Sequence, residues 1–265
     1  MRLDDTLVDA FEADGVVVLR GVFCDWIDTL ARGVDAVLAA PSPLERSYQP
    51  TDGSAPFFQD FCNWQRIPEF RAFIHESPAG ALVAALTRSQ SARFFHDHIL
   101  IKWPGTSTVT PWHQDAPYYC VDGTRSVSFW TPLDPVPAST ALQCVAGSHR
   151  WSSVGFRPQR FDGSPLYADD DFDATPDIEA EREHLRILSW DLEPGDAVAF
   201  DFRTLHGAPA NTTGTQRRVF SARFVGDEAR YVKRQGPTSP PFPNVTLADG
   251  DRLDGPEFPC VYRRR

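Results

Sequence analysis

His113 and Asp115 lie one residue apart in Thr-Pro-Trp-His-Gln-Asp (residues 110–115), and His206 follows far downstream in Thr-Leu-His-Gly (204–207). Two imidazoles and one carboxylate on one face of an ion leave its other positions open. Non-haem Fe(II) oxygenases use that arrangement to bind a cosubstrate and O2 together. In an extended segment, side chains at i and i+2 project to the same side, so His113 and Asp115 can reach one ion while Gln114 points away. His206 must then arrive from a distant strand. The ligand types suit Fe(II) better than thiolates would, although zinc, manganese and nickel accept the same set. A competing pair, His96 and His98 around Asp97, has the H-x-H form by which some metal-binding β-barrels present two ligands, but Lys102 follows it where a glutamate would be needed. Pocket lining or hydrogen bonding is the better reading for these two histidines.

The elements that must position these residues change class once along the chain. Residues 3–13 and 25–40 carry apolar positions at helical spacing, among them Leu30, Val34, Val37 and Leu38, and they bracket an apolar strand at 15–19. Further helices are expected within 66–90. From about residue 93 the pattern is short strands separated by Pro, Gly and Asp: 93–102, 126–131, 140–145, 197–202 and 217–225. Helices followed by many strands predict a mainly β fold, a barrel or jelly roll braced by N-terminal helices. We expect one domain over 1–265: helical support and a first strand in 1–92, the barrel in 93–232 with a lid at 150–185, and a C-terminal tail in 233–265.

Several motifs taken in order carry a resemblance. They are Phe-Phe-His-Asp-His-Ile-Leu-Ile-Lys-Trp-Pro-Gly (94–105), Thr-Pro-Trp-His-Gln-Asp-Ala-Pro-Tyr-Tyr (110–119), Val-Ala-Gly-Ser-His-Arg (145–150), Leu-Glu-Pro-Gly-Asp-Ala-Val-Ala-Phe (192–200), Leu-His-Gly (205–207) and Arg-Arg-Val-Phe-Ser-Ala-Arg-Phe (217–224). Across nearly the whole chain they resemble the phytanoyl-CoA dioxygenase family of Fe(II)/2-oxoglutarate oxygenases. The resemblance implies a cupin-like double-stranded β-helix with the metal at one mouth. It also implies a reaction: 2-oxoglutarate and O2 are consumed, succinate and CO2 are released, and a C–H bond of a small organic metabolite is oxidised, most simply to an alcohol. His113, Asp115 and His206 would be the metal-ligating, catalytic set. Asp115 argues against the halogenating branch, which has a small residue there; desaturation and ring formation stay open.

The resemblance also places an arginine eleven residues beyond the distal histidine to hold the far carboxylate of 2-oxoglutarate, which is Arg217. A guanidinium suits that role because it stays charged when partly buried and grips a carboxylate bidentately. Arg218 is the neighbour in doubt. Alternation groups Arg217, Val219 and Ser221 on one face and the apolar-rich Arg218, Phe220, Ala222 and Phe224 on the other. If helices cover the apolar face, Arg217 and Ser221 look inward. Trp130 and Ile99 fall at positions that contact the cosubstrate in the family, and Ala208 stands where some members carry a hydroxyl. His98, Lys102, Gln114, Tyr118 and Tyr119 are candidates for substrate contact, with packing the alternative for the two tyrosines.

Composition narrows the partners. The chain has 265 residues and a net charge of −10, which argues against a nucleic-acid surface. No run approaches the about 18 apolar residues of a membrane helix, and the start lacks a signal-peptide core. Cys24, Cys62, Cys120, Cys144 and Cys260 are odd in number and irregularly spaced, so no disulfide framework is expected and a reducing cytoplasm is. Arg263, Arg264 and Arg265 read as a solvated tail. The lid contains Trp151, Phe156, Arg157, Arg160, Phe161 and Tyr167; its arginines either meet an anionic group or balance the acidic run from Asp169, Asp170 and Asp171 to Glu179, Glu181 and Glu183. The expected partners are O2 and a small-molecule substrate, and the sequence specifies neither that substrate nor the oligomeric state. Two other classes fit the same residues: a cupin-type metal enzyme that does not use 2-oxoglutarate, and a non-catalytic ligand-binding barrel.

Overall fold

Alternation along one long strand, Arg217–Val225, divides the molecule into an inside and an outside. Phe220, Ala222 and Phe224 project into one apolar layer with the N-terminal helices, whereas Val219 projects into a second layer between two sheets. The computed structural model in which this is seen describes residues 3–160, 163–167 and 171–264. Phe161, Asp169, Asp170 and Arg265, named above, lie outside the described residues.

In chain order the helices are α1 Asp5–Asp14, α2 Ile27–Ala39, α3 Pro68–Glu76 and α4 Ala79–Leu86. The strands are β1 Val16–Leu19, β2 Phe57–Phe61, β3 Ser91–Lys102, β4 Thr110–His113, β5 Val121–Asp122, β6 Ser126–Pro132, β7 Gln143–Val145, β8 Ile187–Leu188, β9 Ala197–Phe200, β10 His206–Ala208, β11 Arg217–Val225, β12 Arg230–Tyr231 and β13 Cys260–Arg263. The major sheet runs β1-β9-β6-β11-β3-β13, with β2 also paired to β3, and the minor sheet runs β4-β10-β7-β8. The pairings are antiparallel throughout these two sheets. Mainly β with bracing helices is therefore the observed class. The tail expected at 233–265 ends in β13, a strand of the major sheet, and Phe258 just before it is fully buried.

The helices form for local reasons and stay for tertiary ones. Asp4 caps α1 through Thr6 N–H at 2.9 Å, and Gly15 ends it in the left-handed region at φ 73°, donating to the Phe11 carbonyl. A Cβ at Gly15 would sit 2.4 Å from His149 Nδ1 and 2.6 Å from Thr204 Oγ1, so only glycine serves there. The Gly15 carbonyl accepts from Thr204 Oγ1 at 2.8 Å and from Asp201 N–H at 2.9 Å, joining the helix end to the loop that precedes β10. On the outer face of the major sheet, Phe220 meets Phe70 and Phe73 at ring distances of 4.6 and 5.4 Å, and Phe23 bridges Phe73 and Phe129. Among the described residues, no helix is long and apolar enough to cross a membrane.

Phe220 is fully buried at the centre of this outer layer. Phe220→Ala should lower the free energy of unfolding by about 3–5 kcal/mol, read as a fall in the urea midpoint at unchanged slope. A cost below about 1 kcal/mol would mean that the helices contribute little to holding the sheet.

Candidate metal centre

Register builds the centre. In the antiparallel pair of β4 and β10, His206 lies directly opposite His113, so both imidazoles rise from the same face with ring centroids 4.2 Å apart. Asp115 arrives differently from the expectation of a continuous strand. β4 ends at His113, and Asp115 takes helical backbone angles, φ −72° and ψ −41°, at the start of a short 3-10 turn over Ala116–Tyr118. That turn, rather than strand alternation, brings its carboxylate back beside His113. Oδ1 of Asp115 lies 3.7 Å from His113 Nε2 and 3.8 Å from His206 Nε2. One ligand atom from each of the three residues lies within 4.8 Å of the other two. Among the described residues this is the one cluster of three or more His, Cys, Asp or Glu side chains so placed.

The surrounding hydrogen bonds prepare these atoms for a cation. His113 Nδ1 faces the Pro111 carbonyl at 2.8 Å and His206 Nδ1 faces the Thr204 carbonyl at 2.9 Å. Each carbonyl can only accept, so each Nδ1 carries the proton and each Nε2 presents a bare lone pair. Burial, followed by the nearby His113, pushes the His206 pKa down to about 3, which keeps it neutral as a ligand must be. Burial alone would raise Asp115, but Arg223, His206 and His113 more than offset it and hold the carboxyl well below its usual range. Oδ2 of Asp115 accepts from Ser128 Oγ at 3.2 Å and from Arg223 Nε at 3.3 Å. With Oδ2 engaged, Oδ1 is left facing the two histidines. The donor set fits a divalent cation bound facially.

Above the three residues is a cavity of about 400 Å³ lined by His98, Leu100, Trp112, Tyr118, Tyr119, Trp130, Arg217 and Arg223, among others. Arg217 is the inward residue of its pair. It is 5% exposed, donates to the Thr140 carbonyl and lies 6.0 Å from the Trp130 ring. Arg218 turns outward to Asp134, at 2.8 Å. Burial lowers the Arg217 pKa to about 10, so its charge persists at neutral pH. Among the described residues no carboxylate pairs with it.

Other expected residues are redistributed. Ile99 does not line the cavity: pleating sends it into the helix-facing layer, and Leu100 takes the inward place. Gln114 also turns away, its amide bonding the Arg203 carbonyl and the Phe156 N–H. Lys102 is buried outside the cavity, donating to the Ala208 and Pro209 carbonyls, and burial lowers its pKa to about 6. Ser221 faces inward and is fully buried, with no hydrogen-bond partner for its hydroxyl. Tyr118 lines the cavity and its hydroxyl exchanges two hydrogen bonds with the Gln159 backbone. Tyr119 lines it too and accepts from Arg223 Nε at 2.5 Å. His98 reaches the cavity stacked on Phe61 at 3.9 Å, while Asp97 turns outward to the Asn63 and Trp64 N–H groups, so His96-Asp97-His98 gathers no second cluster. Arg223 and Ser128 were not singled out in the sequence. The signal for Arg223 was present, since it continues the inward series of Arg217 and Ser221; nothing marked Ser128.

A family model described as phytanoyl-CoA dioxygenase (PhyH) matches residues 11–219. A Caenorhabditis elegans protein named probable phytanoyl-CoA dioxygenase is 25% identical over 196 residues, covering 69% of this chain and 55% of that protein. The chain thus spans about half the length of that relative. Among solved structures, the non-haem α-ketoglutarate-dependent carbocyclase SnoK from nogalamycin biosynthesis is similar at a TM-score of 0.75 and 20% identity, covering 98% of this chain and 97% of its own. The epimerase SnoN, solved with Fe3+, α-ketoglutarate and nogalamycin RO, gives 0.76 and 21%, with coverages of 97% and 98%. EctD from S. alaskensis in its apoform gives 0.70 and 18%, with coverages of 96% and 89%. At these identities what is shared is the fold, the cupin-like jelly roll.

Asp115→Ala should weaken Co(II) binding by about a hundredfold or more in calorimetric titration, and Ser128→Ala by about ten- to a hundredfold. Wild-type affinity in Ser128→Ala would mean that the hydroxyl does not orient the carboxylate.

Proposed function

The chain belongs to the phytanoyl-CoA dioxygenase family, and from that premise we propose that it is an Fe(II)- and 2-oxoglutarate-dependent dioxygenase hydroxylating a C–H bond of a small organic metabolite, with release of succinate and CO2. The observation that carries this reading is the convergence of His113, Asp115 and His206 on one point at the floor of a cavity whose wall holds the buried Arg217, which pairs with no carboxylate among the described residues. We read residues 1–265 as one oxygenase domain with 2-oxoglutarate and O2 as cosubstrates.

His113, Asp115 and His206 would hold the iron. Bound there, it supplies the redox chemistry that couples decarboxylation of the keto acid to oxidation of the substrate by O2. The protein contributes three things. Pro111 and Thr204 carbonyls hold the proton of each neutral imidazole on Nδ1, which makes Nε2 the ligating atom. Ser128 and Arg223 engage Oδ2 of Asp115, which favours one-oxygen ligation and leaves positions free for other ligands. Arg217 offers a desolvated cation to the 5-carboxylate of 2-oxoglutarate, with Trp130 beside it to exclude water. A buried guanidinium without a carboxylate is costly, and pairing with an incoming carboxylate would relieve that cost.

Anaerobic titration of metal-free protein with Fe(II) and 2-oxoglutarate should produce a visible charge-transfer band that requires both and is absent in His113→Ala. Folded, iron-loaded protein without such a band would favour the cupin-type enzyme that does not use 2-oxoglutarate. Arg217→Ala should raise the 2-oxoglutarate concentration needed for half-maximal signal by about ten- to a hundredfold, with Arg218→Ala near wild type. The reverse pattern would assign the anchor to Arg218. Asp115→Ala should abolish substrate-dependent succinate release, and retained release would sink the metal assignment.

A further inference from the structure

One rung of the major sheet places two basic side chains directly across from each other. Lys102 of β3 is the register partner of Arg217 on β11 and of Phe57 on β2, so the three side chains stand on the same face. Phe57 and Arg217 both line the cavity, as does Ala208. Lys102 is 1% exposed and lies behind them. Its Nζ is 4.8 Å from the Phe57 ring centroid and donates to the Pro209 carbonyl at 3.1 Å and the Ala208 carbonyl at 3.4 Å. Like charges opposed on an antiparallel rung repel, and burial removes the water that would screen them.

Among the described residues no carboxylate pairs with either side chain. β2 faces Lys102 with Phe57, β10 and the turn after it with two carbonyls, and β11 with Arg217, the one charged group that acts on it. The conflict is resolved at the lysine, which can give up its proton where a guanidinium cannot. Burial, followed by the charge of Arg217, brings its pKa down to about 6. At neutral pH the free protein therefore carries mainly one charge on this rung, and a second is latent in it.

We propose that Lys102 is a proton-accepting member of the cosubstrate site: it takes up a proton when a carboxylate docks on Arg217, so the rung presents two charges to the bound dianion and one to the empty cavity. This rests on the reading of Arg217 as the anchor for the 5-carboxylate of 2-oxoglutarate. The sign follows from the partners. A carboxylate beside Arg217 cancels the repulsion that Lys102 feels and adds an attraction of its own, and both favour the ammonium form. Binding then consumes protons, and it strengthens as pH falls toward 6 through the range in which the lysine of the free protein is neutral. The keto acid contributes no proton of its own, since both of its carboxyls are ionised throughout that range.

Calorimetric titration of Co(II)-loaded protein with 2-oxoglutarate, in two buffers of different ionisation heat at neutral pH, counts the protons. Oxalate is the control: it chelates a metal but has no far carboxylate to reach Arg217, so protons exchanged at the metal itself cancel in the comparison. 2-Oxoglutarate should take up about half a proton or more beyond oxalate, and its affinity relative to oxalate should fall about threefold or more between about pH 6.5 and pH 8. Both effects should vanish in Lys102→Met, which carries no charge, and in Lys102→Arg, which carries a permanent one. Equal proton counts for the two ligands in the wild-type protein overturn the proposal without recourse to either variant, and so does excess uptake that persists in folded Lys102→Met. Binding of 2-oxoglutarate without excess uptake defeats the role of Lys102 and leaves the oxygenase reading intact. No binding of 2-oxoglutarate to folded, metal-loaded protein defeats that reading and the proposal together.

Discussion

The register of β4 against β10 is the constraint on which the rest of the centre depends. His206 and His113 meet across one rung of an antiparallel ladder, and a slip of one residue would turn one imidazole to the opposite face. β10 is only three residues long, so its pairing energy alone is small. Its position is secured from several sides: Cys144 of β7 pairs opposite His206, Lys102 binds the Ala208 and Pro209 carbonyls, and Gly207 approaches Thr110 and Trp112 so closely that a Cβ would lie 3.1 Å from the Thr110 carbonyl. Lys102 is thus a structural donor. Burial, followed by the charge of Arg217, lowers its pKa to about 6, so at neutral pH it serves its two carbonyl partners mainly as a neutral amine.

Charge within the barrel is arranged in two regimes. Around the metal ligands, Asp115 is compensated before any ion arrives, by Arg223 and Ser128 on one oxygen. Such a carboxylate stays ionised and correctly turned, at the expense of some of its negative charge being shared with Arg223. Farther along the same strand, Arg217 meets no carboxylate among the described residues, only the Thr140 carbonyl and the aromatic face of Trp130. The contrast separates a pre-organised anion from a pre-organised cation, both presented by or against the inward face of β11.

Much of this was legible in residue types and spacing. The helix and strand segments follow the apolar periodicities, and the inward direction of Arg217 follows from Phe220, Ala222 and Phe224 needing a cover, which the helices provide. What was not legible depended on local backbone events. Ile99 and Leu100 are equally apolar, so nothing in their chemistry says which faces the cavity. Asp115 reaches His113 through a turn rather than a strand: β4 ends at His113, and a 3-10 segment with Pro117 at its second position follows Asp115. Gln114 is a candidate for substrate contact in the sequence, whereas its amide satisfies backbone groups of two distant loops. Ser128 is an ordinary small residue in a strand, and only the approach of β6 to the Asp115 turn makes it matter.

Gly15 changes how the N-terminal helix should be regarded. Its carbonyl receives Thr204 Oγ1 across a sequence separation of 189 residues, and the carbonyl of that same threonine receives His206 Nδ1. Two hydrogen bonds therefore span what the covalent chain separates by most of its length. The end of α1 acts as a strut for a metal ligand, and α1 with Gly15 belongs mechanically to the active centre rather than to its packaging. Shortening or replacing that helix is accordingly an intervention on iron affinity, of the same kind as altering a residue that touches the ligand.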